Sequence, residues 1–334
     1  MREVAVVQIS ANPDIFNIYI PLPGNPLKNL NCYVLKTPEK SLVIDTGFNL
    51  QESKEALLSG LAYLGIDMER AEIYATHLHA DHTGLIGEIM RDDTVIYMSK
   101  RDYETMIYLL SDDGWKMSEE SMMMEGFPKN ELKANRDSNP ARIYTTGKVF
   151  TPCFVRDGDS IRIGSYTLTV ISTPGHTPGN TCLYMEHEKI LFTGDHILFD
   201  ITPNITRWSG LEDALGSYLE NLEKIRRLDI RLALPAHRTN GMDVYERIGQ
   251  LLEHHDERIK NTIGVLKAFP NASAYEIASH MQWSMRGKVW TDFPVQQKWF
   301  AVGETCSHLD YLSNRGVAAK KLVDNIYGYI LTTT

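Results

Sequence analysis

The chain has 334 residues, 43% of them apolar, and a formal net charge of −9 from 34 basic and 43 acidic side chains. This length is sufficient for one large domain and a smaller one. No stretch approaches the roughly 20 apolar residues of a membrane-spanning helix. The acidic balance argues against a nucleic-acid partner without excluding one, because phosphate contacts dominate the affinity of such proteins.

The N-terminal segment lacks the basic and then apolar pattern of a secretory signal, and residues 1–8 predict a first strand. The cysteines show no CxxC spacing, so we expect buried free thiols in a reducing compartment, which favours a cytoplasmic protein. The four cysteines are Cys32, Cys153, Cys182 and Cys306.

Two apolar runs in the first quarter of the chain lead directly into polar side chains. Residues 41–44 precede Asp45, and residues 71–75 precede the run THLHADH at 76–82. That run contains three imidazoles and a carboxylate, the side chains that bind zinc and similar metals. They cannot all be core residues, because each would need its own buried hydrogen-bond partner. The HxHxDH spacing therefore favours a metal site over a solvated loop.

Residues 101–150 look like an insertion. Apolar residues at Tyr103, Met106, Ile107 and Leu110 predict a helix with one buried face, and the run GFP at 126–128 ends the pattern. A Met-rich stretch lies between these two features. Its soft side chains suit either packing against the domain or a lid over an apolar acyl or aromatic substrate, and we favour the lid.

Three later apolar runs, at 168–172, 190–193 and 232–234, each predict a short buried strand. They lead into TPGHTPG at 173–179, GDH at 194–196 and PAHR at 235–238. A rigid scaffold commonly presents chemical groups on loops of this kind. Five strand ends that carry metal-binding side chains predict one shared site.

These motifs, LVIDTG, HLHADH, TPGHTPG, TGDH and LPAH in that order, resemble those of the metallo-β-lactamase superfamily over residues 15–240. The resemblance implies an α/β fold, an αββα sandwich of two mixed sheets with helices outside. It implies a site for two divalent metal ions at one edge. One ion would be held by His77, His79 and His176, and the other by Asp81, His82 and His237, with Asp195 between them. Asp45 would orient a ligating imidazole through its other ring nitrogen.

Departures from the family pattern narrow the expected chemistry. Asp195 stands where zinc β-lactamases carry Cys, which argues against antibiotic hydrolysis. His79 stands where diiron relatives carry Glu, and the sequence shows no flavodoxin-like domain. A hydrolytic site resembling those of glyoxalase II, thioesterases, lactonases or phosphodiesterases is therefore favoured over a redox site.

The chain beyond residue 244 predicts a small C-terminal domain over 245–334, after a catalytic domain over 1–244. The sequence predicts four elements in this order: a helix over 244–266, a Ser273–Glu276 capping box that begins another helix, a helix over 296–312 and a hairpin over 321–331. This order resembles a winged helix and the C-terminal region of β-lactamase-like hydrolases that include an endoribonuclease. His254 and His255 are expected to be surface residues outside the metal site.

The expected mechanism follows from two cations about 3.5–4 Å apart, which can hold a bridging hydroxide near neutral pH. That hydroxide would attack a thioester or carboxylic ester, with Asp81 steering it and accepting its proton. The acidic charge and Met-rich insert favour this reaction. The alternatives are a phosphodiesterase or endoribonuclease of the same fold, with RNA held by the C-terminal region, and a non-enzymatic regulatory protein that keeps its metals.

Several further expectations concern ligands and partners. Zinc is the default metal, with iron and manganese also suited to these ligands. Arg207 and Arg238 follow predicted strand-end loops and are candidates to bind an anionic substrate group. His196 could reach the rim of the site or make structural hydrogen bonds. The expected partner is a small-molecule substrate, with no membrane, and a homodimer through the insert or the C-terminal helices is left open.

Overall fold

The computed structural model describes residues 5–239, 241–284 and 289–332. Residues 1–4 of the strand predicted over 1–8 lie outside the described residues. The first described strand, β1, covers Val6–Ala11.

Seven strands form the first sheet in sequence order. The first three strand pairs are antiparallel and the last three are parallel. The strands are β1, β2 (Asp14–Pro21), β3 (Asn29–Lys36), β4 (Ser41–Ile44), β5 (Ala71–Tyr74), β6 (Ile96–Ser99) and β7 (Cys153–Val155).

The second sheet has five strands in the order β12-β11-β10-β9-β8. All its pairs are antiparallel except β11 with β12, which are joined through a helix and run parallel. The strands are β8 (Ser160–Ile163), β9 (Tyr166–Ser172), β10 (Thr181–Met185), β11 (Ile190–Gly194) and β12 (Leu232–Pro235). Those predicted over 168–172, 190–193 and 232–234 are confirmed within two residues.

The two sheets pack face to face. Leu42 and Tyr74 of the first sheet share a buried cluster with Leu183 and Phe192 of the second. Successive side chains of a strand point to opposite faces, so the outer faces are also apolar and must be covered. Helices cover both of them, and the predicted αββα sandwich is confirmed. The covering helices include α1 (Gln51–Tyr63), α2 (Ala80–Thr83) and α3 (Ile86–Ile89) on the first sheet, and α8 (Ala214–Arg226) on the second.

The insertion folds into four helices. The predicted break at 126–128 separates the second helix from the third. Of the predicted buried face, Met106 is buried, whereas Ile107 and Leu110 are exposed because only one edge of this helix contacts the sheet. Met122 and Met123 pack against the C-terminal helices, which fits the packing alternative rather than the favoured lid. The helices are α4 (Lys100–Leu110), α5 (Asp112–Met124), α6 (Lys129–Ser138) and α7 (Pro140–Ile143).

The C-terminal region is helical, as predicted, and ends in a hairpin. Its elements are α9 (Val244–Ala268), α10 (Ala274–His280), a short 3-10 helix (Trp290–Asp292), α11 (Val295–Asn314), β13 (Ala318–Val323) and β14 (Ile326–Leu331). The predicted boundary at residue 244 coincides with the start of α9. However, Ile248 and Leu251 of this helix pack on the second sheet, whereas Val265 and Leu266 join the C-terminal cluster. One helix therefore belongs to both units.

Two further expectations about burial are wrong. His255 is fully buried, because it lies on the face of α9 turned toward His308 and Tyr218. Cys153 is exposed on the edge strand β7, whereas the other three cysteines are buried free thiols. Among the described residues, no helix combines the length and the apolar character needed to cross a bilayer.

The capping box at the start of α10 is confirmed: Ser273 Oγ accepts from the Glu276 N–H, and Glu276 accepts from the Ser273 N–H at 2.8 Å. We expect Ser273→Ala to lower the free energy of unfolding by about 1 kcal/mol, because it leaves a helix N–H without its acceptor. Urea unfolding followed by circular dichroism measures this. Ser279→Ala in the same helix is the control, and it should leave stability unchanged or slightly higher. Equal losses in both variants would contradict the capping role.

Candidate metal centre

Loops that follow four strands bring metal-binding side chains to one edge of the sandwich. The loop after β5 carries His77 and His79, and the short helix α2 that His79 precedes carries Asp81 and His82. The loops after β9 and β12 carry His176 and His237, and Asp195 directly follows β11. The structure thus brings the seven predicted ligands together in two groups, one of four residues and one of three, with ligand atoms within 4.8 Å of one another in each group.

The first group consists of three imidazoles and a carboxylate. His79 Nδ1 lies 2.9 Å from His77 Nε2 and 3.1 Å from His176 Nε2. Asp195 Oδ2 lies 3.6 Å from His176 Nε2. The inward-facing atoms are therefore three ring nitrogens and one carboxylate oxygen.

The second group faces the other oxygen of the same carboxylate. Asp195 Oδ1 lies 3.6 Å from His82 Nε2 and 3.4 Å from His237 Nε2. Asp81 Oδ2 lies 3.4 Å from His237 Nε2 and 3.9 Å from His82 Nε2. Asp195 consequently stands between the two groups with one oxygen toward each.

Four of the imidazoles are held from outside through the ring nitrogen that points away from the group. Such a hydrogen bond sets the ring orientation and leaves the inner nitrogen available to a metal. The pairs are His77 Nδ1 with Thr76 Oγ1 at 3.1 Å, His82 Nδ1 with Asp45 Oδ2 at 2.8 Å, His176 Nδ1 with Asn204 O at 2.9 Å and His237 Nδ1 with Asn29 O at 2.8 Å.

The two groups differ in charge. Burial holds the pKa of His77 well below its usual value and lowers those of His79 and His176 to about 4 each. Burial alone would also lower the pKa of His82, but Asp45 and other carboxylates outweigh it and raise that pKa to about 10. In the metal-free protein, the three imidazoles of the first group are therefore neutral at pH 7, whereas His82 carries a proton beside the carboxylates that surround it.

Sequence reasoning missed Asp102, a fully buried carboxylate in the first turn of α4. Its Oδ2 accepts from Leu78 N at 3.0 Å and from Thr177 Oγ1 at 2.6 Å, and its Oδ1 accepts from Gly179 N at 2.6 Å. Asp102 therefore joins the HLHADH loop to the TPGHTPG loop. A single Asp without a motif around it carries no signal in the sequence.

The predicted substrate-binding residues are placed less favourably. Arg207 is engaged with Asp310 and Glu125 in a cluster beneath the surface, so its charge is already balanced and a substrate-binding role does not fit. His196 is fully buried beside the Tyr218 ring, outside both metal-binding groups, so it does not reach the rim of the site. Its two ring nitrogens have no hydrogen-bond partner among the described residues, so the expected structural hydrogen bonds are not seen either. Arg238 follows His237 and donates to the Pro26 carbonyl.

One aromatic side chain that sequence reasoning did not single out lies against the first group. Trp208 donates through Nε1 to the His176 carbonyl at 2.9 Å, and its ring lies 6.0 Å from the His79 ring. It is partly exposed. A partly exposed aromatic ring beside His79 gives this side of the centre an apolar wall.

Comparison with known proteins agrees with this geometry. A family model described as "Metallo-beta-lactamase superfamily" matches residues 26–237. The chain is 27% identical to Beta-lactamase-like protein 2 homolog of Caenorhabditis elegans, covering 78% of this chain and 74% of that protein. It is 26% identical to Acyl-coenzyme A thioesterase MBLAC2 of Bos taurus (62% and 72%) and 25% identical to Atrochrysone carboxyl ACP thioesterase of Aspergillus fumigatus (73% and 46%).

The chain thus spans between about half and three-quarters of the length of these relatives. Among solved structures, a metallo-beta-lactamase family protein from Thermus thermophilus superposes with a TM-score of 0.80 at 25% identity, covering 97% of this chain and 100% of that one. The similarity therefore extends through the C-terminal helices.

The position of Asp102 generates a test of the link between the two loops. In Asp102→Asn, one side of the amide carries N–H donors, so at least one of the Leu78 and Gly179 N–H groups loses its acceptor. We expect the free energy of unfolding to fall by about 1–3 kcal/mol, the cost of an unsatisfied buried donor. Urea unfolding measures this change. The exposed Asp92→Asn is the matched control, and a loss no larger than in that control would show that Asp102 does not hold the loops.

Proposed function

The chain belongs to the metallo-beta-lactamase superfamily, and from this premise we propose that it is a hydrolase that binds two divalent metal ions and cleaves acyl thioesters or other carboxylic esters. The observation that carries the proposal is the pair of ligand groups that share Asp195, since their inward-facing atoms are the nitrogen and oxygen donors that divalent metals prefer.

Buried polar atoms test whether metals fit these groups. Such atoms are normally hydrogen-bonded, because an unpaired one costs about 1–3 kcal/mol. Within the described part of the chain, His82 Nε2, His237 Nε2 and Asp195 Oδ1 are buried and have no hydrogen-bond partner. All three face the same small space. A cation there would satisfy the three atoms together, so the second group fits a metal.

We assign one ion to His77, His79 and His176, a second to Asp81, His82 and His237, and Asp195 to both, as in the expected ligand set. Two such ions, when bound, lower the pKa of water and polarise a carbonyl. Zinc is the proposed metal, because imidazole and carboxylate suit it, and these ligands also suit iron and manganese.

The protein's own side chains have separate roles in this proposal. Asp45 holds a proton on His82 Nδ1, which keeps Nε2 directed inward. Asp81 is the proposed proton acceptor: burial opposes ionisation, but His82 and His237 lower its pKa, so it is a carboxylate at pH 7. Its Oδ2 faces His237, and its second oxygen would accept a proton from the attacking water.

The substrate class rests on two kinds of support. Two relatives carry thioesterase names, one for acyl-coenzyme A and one for a carrier-protein thioester. The Trp208 ring beside His79 supplies apolar surface for an acyl group. In addition, the acidic net charge of −9 disfavours a polyanionic nucleic acid as substrate. The phosphodiesterase and regulatory alternatives remain as outcomes of the test below.

We expect the purified chain to hydrolyse acyl-coenzyme A or acyl-glutathione thioesters faster than bis-p-nitrophenyl phosphate or single-stranded RNA. A thiol-reactive dye follows the released thiol. Chelation should abolish the activity and added zinc should restore it. Asp81→Asn should lower kcat by about 100-fold or more, because the amide cannot accept the proton. Asp92→Asn is the matched control. RNA cleavage with inert thioesters would reverse the assignment, and inertness on the whole panel would favour a regulatory protein.

The pKa of His82, raised to about 10, predicts proton release on metal binding. At pH 8 the metal-free imidazole is protonated, and that proton must leave before Nε2 can bind a cation. Zinc added in weak buffer with a pH indicator should therefore release protons. Asp45→Asn removes the foremost carboxylate that raises this pKa and should reduce the number released. Equal release from both proteins would contradict the role of Asp45.

A further inference from the structure

Residues 204–208, which we call the strap, form a short segment beside the candidate metal centre. It holds His176 at two points. The Asn204 carbonyl accepts a hydrogen bond from His176 Nδ1 at 2.9 Å, and Trp208 Nε1 donates to the His176 carbonyl at 2.9 Å. The orientation of the His176 ring therefore depends on where the strap lies.

The strap rests on α11, in the C-terminal region. Arg207 N donates to the Gly303 carbonyl at 3.1 Å. A Cβ on Gly303 would lie 2.1 Å from Thr206 Oγ1, so a side chain at this position would push the strap away from the helix. The Arg207 guanidinium also pairs with Asp310, further along α11. The strap is thus fixed to α11 by both its backbone and its side chains.

A chain of polar contacts continues from the strap into the C-terminal region. Asn204 Nδ2 donates to Glu304 Oε2 at 2.9 Å, and Glu304 Oε1 lies 3.5 Å from Arg258 Nε on α9. Arg258 is in turn held over the Trp283 ring at 4.3 Å. Glu304 is buried, and a buried carboxylate that has both partners is fixed in position.

The other outer hydrogen bonds of the centre come from the sandwich itself. Those of His77, His82 and His237 are made by Thr76, Asp45 and Asn29, which all lie in or next to strands of the first sheet. His176 differs because the residue that holds it is tied to α11. One ligand of the proposed first metal thus depends on a part of the chain outside the family match, which ends at residue 237.

From this arrangement, we infer that Glu304 is a positioning residue for the metal centre: acting through Asn204, it fixes the ring of His176 so that Nε2 faces the first ligand group. The inference rests on the proposed two-metal site and concerns its affinity for metal rather than its substrate. It assigns the C-terminal region a role in completing the site, independent of any contact with a macromolecule.

Loss of the Asn204–Glu304 contact should raise the zinc dissociation constant of one of the two sites by roughly 10-fold or more. This is the usual effect of removing the hydrogen-bond partner of a metal-binding histidine. The test uses Asn204→Ala, Glu304→Ala and the double variant of the full chain. Competition with a chromogenic zinc chelator measures both dissociation constants, without substrate. Because the two residues act through the same contact, the double variant should bind zinc no more weakly than the single variant that binds it more weakly.

The matched control is Glu131→Ala, which removes another carboxylate bound to α11, the partner of Lys298 at 2.9 Å, with no contact to the strap. It should leave both dissociation constants unchanged. Asn204→Ala, whose side chain is partly exposed, keeps the test valid should Glu304→Ala fold poorly. The inference would be overturned by any of three results. These are zinc affinities like the parent's in both single variants, effects that multiply in the double variant, or a loss of zinc affinity in Glu131→Ala as large as in the single variants. Absence of zinc binding by the parent chain would instead refute the proposed two-metal site itself.

Discussion

The structure depends on a cluster of seven imidazole and carboxylate groups at one edge of the sandwich, six of them buried and the seventh, His79, partly exposed. Burying polar groups is costly unless each has a partner. The protein supplies partners on the outer side only, through Thr76, Asp45, Asn29 and the carbonyl of Asn204. The inner atoms face one another, and several of them lack any partner among the described residues. Bound cations would satisfy these inner atoms, which is why the arrangement favours a metal centre over a polar core.

Meeting that constraint requires both sheets. The loops after β5, β9, β11 and β12 must end at the same edge, and packing of the two sheets through their shared apolar cluster brings them there. Asp102 then fastens two of these loops to each other. The candidate centre is consequently only as rigid as the packing around it, and residues far from it in sequence, such as those of α11, contact the segment that holds His176.

The motifs made the candidate ligands and the strands before them predictable, because each motif combines a local apolar run with a donor residue at its end. Asp45 could be anticipated in the same way. The remaining partners could not. Asn29 and Asn204 act through main-chain carbonyls, which leave no trace in the residue type. Arg207 looked like a substrate anchor because it follows a strand-end loop, yet Asp310, about a hundred residues later, neutralises it. His255 looked like a surface residue because acidic residues that could form a salt bridge with it flank it in the sequence, yet its ring faces His308.

The amino-acid sequence by itself determined the strands that end in donor residues and the seven candidate metal ligands, since these follow from local periodicity and from clustered donor residues. Its motifs indicated the layered fold through their resemblance to a known family. Only the tertiary structure decided which residues hold each imidazole, that α9 joins both halves of the chain, and that the C-terminal helices reach His176 through the strap. Those contacts join residues far apart in the chain, and their existence depends on packing distances that no local pattern encodes.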